Sequence, residues 1–267
     1  MTIARHFTKD EIASRIKDYC ASRGAILLYA AESGSRGWGF ASPDSDYDGR
    51  FIYMWPKQDY LSPFETVDTL RMTGTGDEKD LDFEGWSLSK TLRSLRAGNP
   101  VTLEWVQSPV VYRDANGFGA RLLASFGGTS MFCAGGSISH YAGMARSSLS
   151  FTQGTGSLTQ NNAKKMMYAL RSALCCLYVR ELGTMPPMAW EDLLASQGHK
   201  LSEAQHTELA WLLDEKSKHD EHHMVPASDI SSLHQFMQYA LAGDRVQRRP
   251  LCGSETYEEF FRTTLEM

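Results

Sequence analysis

A pair of aspartates stands where two side chains could share one divalent cation. Asp46 and Asp48 alternate at the start of an apolar run that is typical of a β-strand. Alternate residues of a strand point to the same face, so these carboxylates project side by side. They repel each other unless a cation lies between them. Because magnesium binds one or two carboxylates together with phosphate oxygens, the pair supplies half of a magnesium site.

A third carboxylate is expected from a later strand. Acidic residues alternate with apolar ones between positions 80 and 84. Of these we favour Asp82 as the residue that faces Asp46 and Asp48, because apolar neighbours on both sides would anchor it in a packed strand. Three carboxylates around two metal ions form the clamp that serves in-line phosphoryl transfer. The sequence therefore predicts that these aspartates bind Mg²⁺, with Mn²⁺ as the alternative ion.

The segment before these acids has the composition of a phosphate-binding turn. Gly34 and Ser35 follow the apolar run 25–31, which is typical of a buried strand. Glycine lets the backbone approach a phosphate, and backbone N–H groups and the Ser35 hydroxyl can hold the β and γ phosphates. Arg36 can offset phosphate charge bidentately. Each signal is weak alone, and it is their order along the chain that indicates a nucleoside triphosphate site.

Further basic residues are candidate contacts to the nucleotide. Lys90, Arg93 and Arg96 fall on one side of a predicted helix close behind Asp82, where they could guide a triphosphate or a polynucleotide. A solvated helix face is the alternative interpretation. Arg171 lies among apolar residues of a later helix, which favours a role near the site.

A cluster of three histidines is a weaker candidate for a functional site. They lie in a charged, loop-like stretch, so we interpret them as solvated. The three are His219, His222 and His223.

The elements that must position these residues divide the chain into an α/β half and a helical half. Glycine-rich segments at 127–130 and 135–137 indicate a linker, which predicts domains at 1–130 and 137–267. The first domain is expected to contain helices at 10–23, 87–96 and 117–126, strands at 25–31, 46–55 and 79–84, and a helical turn followed by a strand within 100–112. The second is expected to contain only helices, near 138–149, 163–177, 189–196, 202–214, 228–241 and 256–265. The predicted fold class is α+β.

Composition excludes several classes of protein. The 267 residues are 42% hydrophobic and 22% charged, an ordinary globular balance, and the net charge of −5 argues against a broad basic surface for nucleic acid. Five scattered cysteines without a CxxC pair support neither a zinc ribbon nor a disulfide framework. No apolar run approaches the roughly 20 residues of a membrane helix, and the first residues do not form a secretory signal. We therefore expect a cytoplasmic protein without a membrane partner.

The motifs together resemble the DNA polymerase β superfamily of nucleotidyltransferases, and more narrowly the predicted nucleotidyltransferases called RNA-ligase-associated polymerases. The stretches that carry the resemblance are 34–39, 43–50, 82–90, 98–104 and 162–171. The resemblance implies a palm-like mixed sheet, with Asp46, Asp48 and Asp82 as metal ligands and Gly34 and Ser35 at the triphosphate.

The expected reaction is transfer of a nucleoside monophosphate from a nucleoside triphosphate to an acceptor hydroxyl, with release of pyrophosphate. The resemblance implies an RNA end as the acceptor. The acidic net charge leaves a protein hydroxyl or a small molecule open. Two other classes are a non-catalytic nucleotide-binding module and a nuclease-like phosphodiesterase, although the latter gives no reason for the phosphate-binding turn.

Overall fold

A mixed five-stranded sheet organises the N-terminal half of the chain. The computed structural model describes residues 6–42, 44–64, 66–128, 130–150, 160–218, 223–242 and 253–267. The strands are β1 (Ile26–Glu32), β2 (Tyr47–Met54), β3 (Thr69–Thr73), β4 (Leu81–Ser87) and β5 (Val111–Asp114). Their spatial order is β3-β4-β2-β1-β5. Only β2 and β4 pair in parallel, and the other neighbours are antiparallel.

Helices cover the sheet and build the C-terminal half. They are α1 (Lys9–Ser22), α2 (Gly34–Trp38), α3 (Leu88–Arg96), α4 (Val101–Trp105), α5 (Phe118–Phe126), α6 (Ala134–Ser150), α7 (Ala163–Leu182), α8 (Trp190–Gln197), α9 (Glu203–Lys218), α10 (Ser231–Leu241) and α11 (Glu255–Leu265). Short 3-10 helices occupy Lys57–Leu61, Gly76–Glu78, Gly198–Lys200 and Ala227–Ile230. None of the described helices combines the length and apolar character that crossing a bilayer requires.

The predicted α+β organisation is confirmed, and the two halves share one hydrophobic core. Leu28 and Ile52 of the sheet belong to the same buried cluster as Leu170 of α7 and Leu233 of α10. A second cluster lies on the other face of the sheet, where α1 packs. That helix begins with a capping box at Thr8 and buries one apolar stripe of its surface.

Glycines and phenylalanines fix the register between β2 and β4 on the face that α1 covers. Gly49 is the partner of Phe83, and Phe51 is the partner of Gly85. A Cβ atom would lie 2.5 Å from the Phe83 ring at Gly49 and 2.0 Å from the Phe51 ring at Gly85. Each aromatic ring thus lies on a neighbour that has no side chain. A slip by two residues would place the two rings opposite each other, and a slip by one would turn the buried residues outward.

Three features of the fold differ from the prediction. The glycine-rich stretch after β1 forms the short helix α2, which starts at Gly34 with φ of 56° and ends at Gly39 with φ of 95°. Strand β3 was not expected, because it is an edge strand in which only Leu70 is buried. The helical half contains a two-stranded sheet, β6 (Gln160–Asn162) with β7 (Met224–Pro226).

The second of the two glycine-rich segments that bracket the predicted linker, 135–137, lies inside α6. Gly136 is small for a packing reason. A Cβ atom there would lie 2.6 Å from the carbonyl oxygen of Gly98, so the helix passes directly over the loop that follows α3.

A buried polar network joins α2 to the helical half. The Glu104 carboxylate accepts hydrogen bonds from the Trp38 indole at 2.8 Å and the Tyr141 hydroxyl at 3.0 Å. It also forms an ion pair at 3.1 Å with Arg171, although the angle is not that of an aligned hydrogen bond. The Arg171 guanidinium lies over the Trp38 ring, 4.4 Å from its centroid, and donates to the Met188 carbonyl. Four elements that are distant in sequence are therefore held by one carboxylate.

We expect Glu104→Gln to lower the free energy of unfolding by about 3–5 kcal/mol, because it leaves the Arg171 charge buried without a counterion. Urea denaturation followed by circular dichroism measures the change. The matched control is Glu258→Gln, which removes an exposed ion pair with Arg262 and is expected to cost less than about 1 kcal/mol. Equal losses in the two variants would contradict a structural role for the buried pair.

Candidate active site

Asp48 and Asp82 lie side by side, as direct partners in the parallel pairing of β2 with β4. One nitrogen of Arg50, Nη2, donates to Asp48 Oδ1 and to Asp82 Oδ2, each at 2.9 Å. The Asp82 side chain is 50% exposed and the Asp48 side chain 23%. The structure therefore brings two of the predicted aspartates together at an accessible position, with a cationic group between them.

Asp46 does not complete a group of three carboxylates. It is exposed and immediately precedes the first residue of β2. Within the part of the chain that the structure describes, no group of three or more His, Cys, Asp or Glu side chains is placed to hold a metal ion. Of the three predicted metal ligands, Asp48 and Asp82 therefore lie together, and Asp46 lies on the segment just before β2.

Gly34 forms one wall of the site. A Cβ atom at this position would lie 2.0 Å from Asp48 Oδ2, so no side chain can be accommodated there. The positive φ of Gly34 also favours glycine. The adjacent N–H of Ser33 donates to the Asp48 carbonyl at 2.9 Å. The backbone that begins α2 therefore lies directly against the Asp48 carboxylate.

Ser35 and Arg36 do not face outward as the phosphate contacts require. The Ser35 side chain is buried, and its hydroxyl donates to the Ser45 hydroxyl at 3.0 Å. The Arg36 guanidinium donates to the Ser45 carbonyl at 3.0 and 2.7 Å and lies over the Tyr47 ring. Local turn chemistry could not reveal these partners, which anchor the segment before β2, and the contact of the two residues with phosphate stays a prediction.

The two more distant nucleotide candidates have different outcomes. Lys90 donates to Thr69 Oγ1 at 2.7 Å and lies over the Trp86 ring, which is on the same face of β4 as Asp82. Lys90 therefore lies on the same face of the sheet as the two acids, but its own contacts are to Thr69 and Trp86. Arg171 is only 1% exposed, and the structure places its guanidinium in the buried network with Glu104 and Trp38. The apolar neighbours that suggested a function are the groups that bury it.

The predicted histidine cluster is only partly visible. His219 and His222 lie outside the described residues. His223 pairs with Glu215 at 3.0 Å.

Glu32 is a buried carboxylate that the sequence argument missed. It ends β1, is 2% exposed, and accepts hydrogen bonds from the Asp48 backbone N–H at 2.6 Å and from the Tyr112 hydroxyl. Burial raises the pKa of Glu32 to about 7, although these hydrogen bonds oppose the shift. An acid that ends an apolar strand and immediately precedes Ser33 and Gly34 is the signal that could have identified it.

The raised pKa of Glu32 predicts a pH-dependent stability. Its protonated form is favoured in the folded state, so its contribution is fully present below the ordinary pKa of 4.5 and is lost as pH rises to about 7. We expect the unfolding free energy of the wild type, relative to Glu32→Gln, to fall by about 3 kcal/mol across this window. Urea titrations at several pH values measure it, and parallel curves for the two proteins would contradict the assignment.

Similarity to known proteins covers nearly the whole chain. Residues 8–254 match the family described as RNA repair pathway DNA polymerase beta family. The chain is 35% identical over 232 residues to uncharacterized protein YcgL of Bacillus subtilis (strain 168), covering 86% of this chain and 84% of that protein. A crystal structure of a nucleotidyltransferase-like protein from Exiguobacterium sibiricum 255-15 covers 95% of this chain and 78% of its own, with 11% identity and a TM-score of 0.32, too low to support an argument. The family match confirms the resemblance seen in the motifs: the chain belongs to the RNA repair pathway DNA polymerase beta family.

Proposed function

We propose that this polymerase β-type nucleotidyltransferase transfers a nucleoside monophosphate from a nucleoside triphosphate to an acceptor hydroxyl, with release of pyrophosphate and with Mg²⁺ as cofactor. The observation that carries the proposal is the pairing of Asp48 with Asp82 beside the backbone of Gly34. Two adjacent carboxylates next to a turn without side chains suit a triphosphate and its cations.

The donor set of the site fits a divalent cation. Asp48 and Asp82 are already close enough for one guanidinium nitrogen to reach both, so a cationic group has a stable position between them. These two residues would hold the ion, and Asp46 would join them from the segment before β2. Bound Mg²⁺ would neutralise the triphosphate and favour deprotonation of the acceptor hydroxyl.

The surroundings of the two acids assign a side of the site to each substrate. Asp48 is the less exposed acid and borders Gly34, so we place the triphosphate on the α2 side. Asp82 is half-exposed on β4, toward the edge strand β3, so we place the acceptor hydroxyl on that side. Ser35 and Arg36 act indirectly, because they hold the segment that carries Asp46.

An RNA end is the acceptor that we favour, because the family is described by its place in RNA repair. A net charge of −5 suits a few local contacts to such an end better than a broad nucleic-acid surface. A protein hydroxyl or a small molecule is the alternative acceptor.

A non-catalytic nucleotide-binding module is the second candidate function. It is favoured by the engagement of both acids with Arg50, which neutralises part of the charge that a cation would need. Nucleotide binding without pyrophosphate release, across RNA, protein and small-molecule acceptors, would support this alternative over catalysis.

We expect Asp48→Asn and Asp82→Asn each to lower Mg²⁺-dependent pyrophosphate release by about a hundredfold or more, because each variant removes a metal-binding charge. The measurement uses each nucleoside triphosphate with RNA oligonucleotides that end in a 3′-hydroxyl. Asp77→Asn, at an exposed acid outside the site, is the matched control and should retain wild-type turnover. Wild-type turnover in either site variant would refute the assignment, and transfer of label to protein or small molecules instead of RNA would change the acceptor.

A further inference from the structure

We propose that Arg50 is a positioning residue that competes with the divalent cation for Asp48 and Asp82. Its guanidinium holds the two carboxylates together, and the cation binds only when that guanidinium leaves. The inference rests on the proposed function, because the cation is the one that the transfer reaction uses.

The contacts of Arg50 show that it holds a defined position between the strands. Nη2 bridges Asp48 Oδ1 and Asp82 Oδ2 at 2.9 Å each. Nη1 donates to the backbone carbonyls of Asp82 at 2.8 Å and of Gly49 at 3.1 Å. With a side chain only 19% exposed, Arg50 is anchored to both strands and not merely attracted to a nearby acid.

The same contacts occupy the position that a cation bridging Asp48 Oδ1 and Asp82 Oδ2 would take. Magnesium requires its oxygen ligands at about 2.0–2.1 Å, so an ion that joins the two acids must occupy the volume that Nη2 now fills. The other oxygen of Asp48 does not offer an alternative route, because Oδ2 faces the backbone wall at Gly34. Binding by the guanidinium and binding by a bridging ion are therefore mutually exclusive.

A displaced Arg50 has another carboxylate within the same sheet face. Its direct partner on β4 is Glu84, one alternation beyond Asp82. Glu84 accepts a hydrogen bond from the Trp86 indole on Oε1 and pairs through Oε2 with Arg71, whose side chain is 72% exposed and can yield to solvent at little cost. The sheet thus provides two positions for the Arg50 guanidinium, one on the metal-binding acids and one next to them.

Competition predicts that the cation alone binds weakly to the wild type, because the binding-competent arrangement is only a fraction of the population. The test is titration of the full chain with Mn²⁺ in the absence of nucleotide, with unbound Mn²⁺ measured by electron paramagnetic resonance. Arg50→Met should bind Mn²⁺ about tenfold or more tightly than the wild type. Arg262→Met removes an exposed arginine of α11 that pairs with Glu258, so it is the matched control and should bind as the wild type does.

Arg50→Lys separates bridging from simple charge. Lysine keeps the positive charge but has a single flexible ammonium instead of the planar fork, so it cannot hold both strands in the same way. We expect this variant also to bind Mn²⁺ more tightly than the wild type. A dissociation constant equal to that of the wild type would mean that charge alone matters and would overturn the proposal.

Two further outcomes test the competition between Arg50 and the cation. Absence of Mn²⁺ binding in the wild type and both Arg50 variants overturns the competition. If Arg50→Met fails to fold, as judged by circular dichroism, the Arg50→Lys result decides. The proposed function is judged separately by pyrophosphate release from the wild type, so a chain can fail one test and pass the other.

Discussion

The central constraint of this structure is that β2 and β4 place two carboxylates next to each other, so their repulsion must be offset. Parallel pairing makes Asp48 and Asp82 direct neighbours, and like charges in that arrangement destabilise a sheet unless a cation offsets them. Arg50 supplies that cation from the same strand as Asp48. On the opposite face, the alternation of glycine with phenylalanine fixes the register, so the two acids cannot separate by a slip of the strands.

The same requirement explains the elements around the pair. The chain leaves β1 through Gly34, where only a residue without a side chain can lie against Asp48. Helix α2 is too short to hold its own position. It is held by hydroxyl and guanidinium contacts to the segment before β2 and by the buried Glu104 network that reaches α6 and α7. The helical half therefore contributes to the site through packing, without placing any described side chain in the Arg50 bridge.

Much of this arrangement could be predicted from local patterns in the sequence. The apolar run before Gly34, the alternation around Asp48 and the acid at Asp82 predicted three strands that the structure contains. The charge alternation also predicted that acids from two strands would meet. These features depend on periods of two or 3.6 residues, which can be read without knowledge of the tertiary structure.

The remaining features depend on partners that lie far away in the sequence. The position of Glu32 at the end of an apolar strand is a local signal, but its hydrogen bond from Tyr112, 80 positions later, is not. Arg171 looked functional because it is a charge in an apolar helix, yet Glu104 is the partner that allows it to be buried. Arg50 follows Asp48 by two residues, so alternation places it on the same face, but a strand pattern does not say which cation will stand between two acids. The glycines of segment 135–137 serve helix packing, which local composition does not show.

The most direct measurement of the central claim is a crystal structure of the wild-type chain with Mn²⁺ and a non-hydrolysable nucleoside triphosphate, with the metal located by its anomalous scattering. The account predicts a peak between Asp48 and Asp82, bonded to both carboxylates and to phosphate oxygens, with the Arg50 guanidinium withdrawn from the pair. A nucleotide bound with Arg50 still bridging the two acids and no metal between them would contradict it.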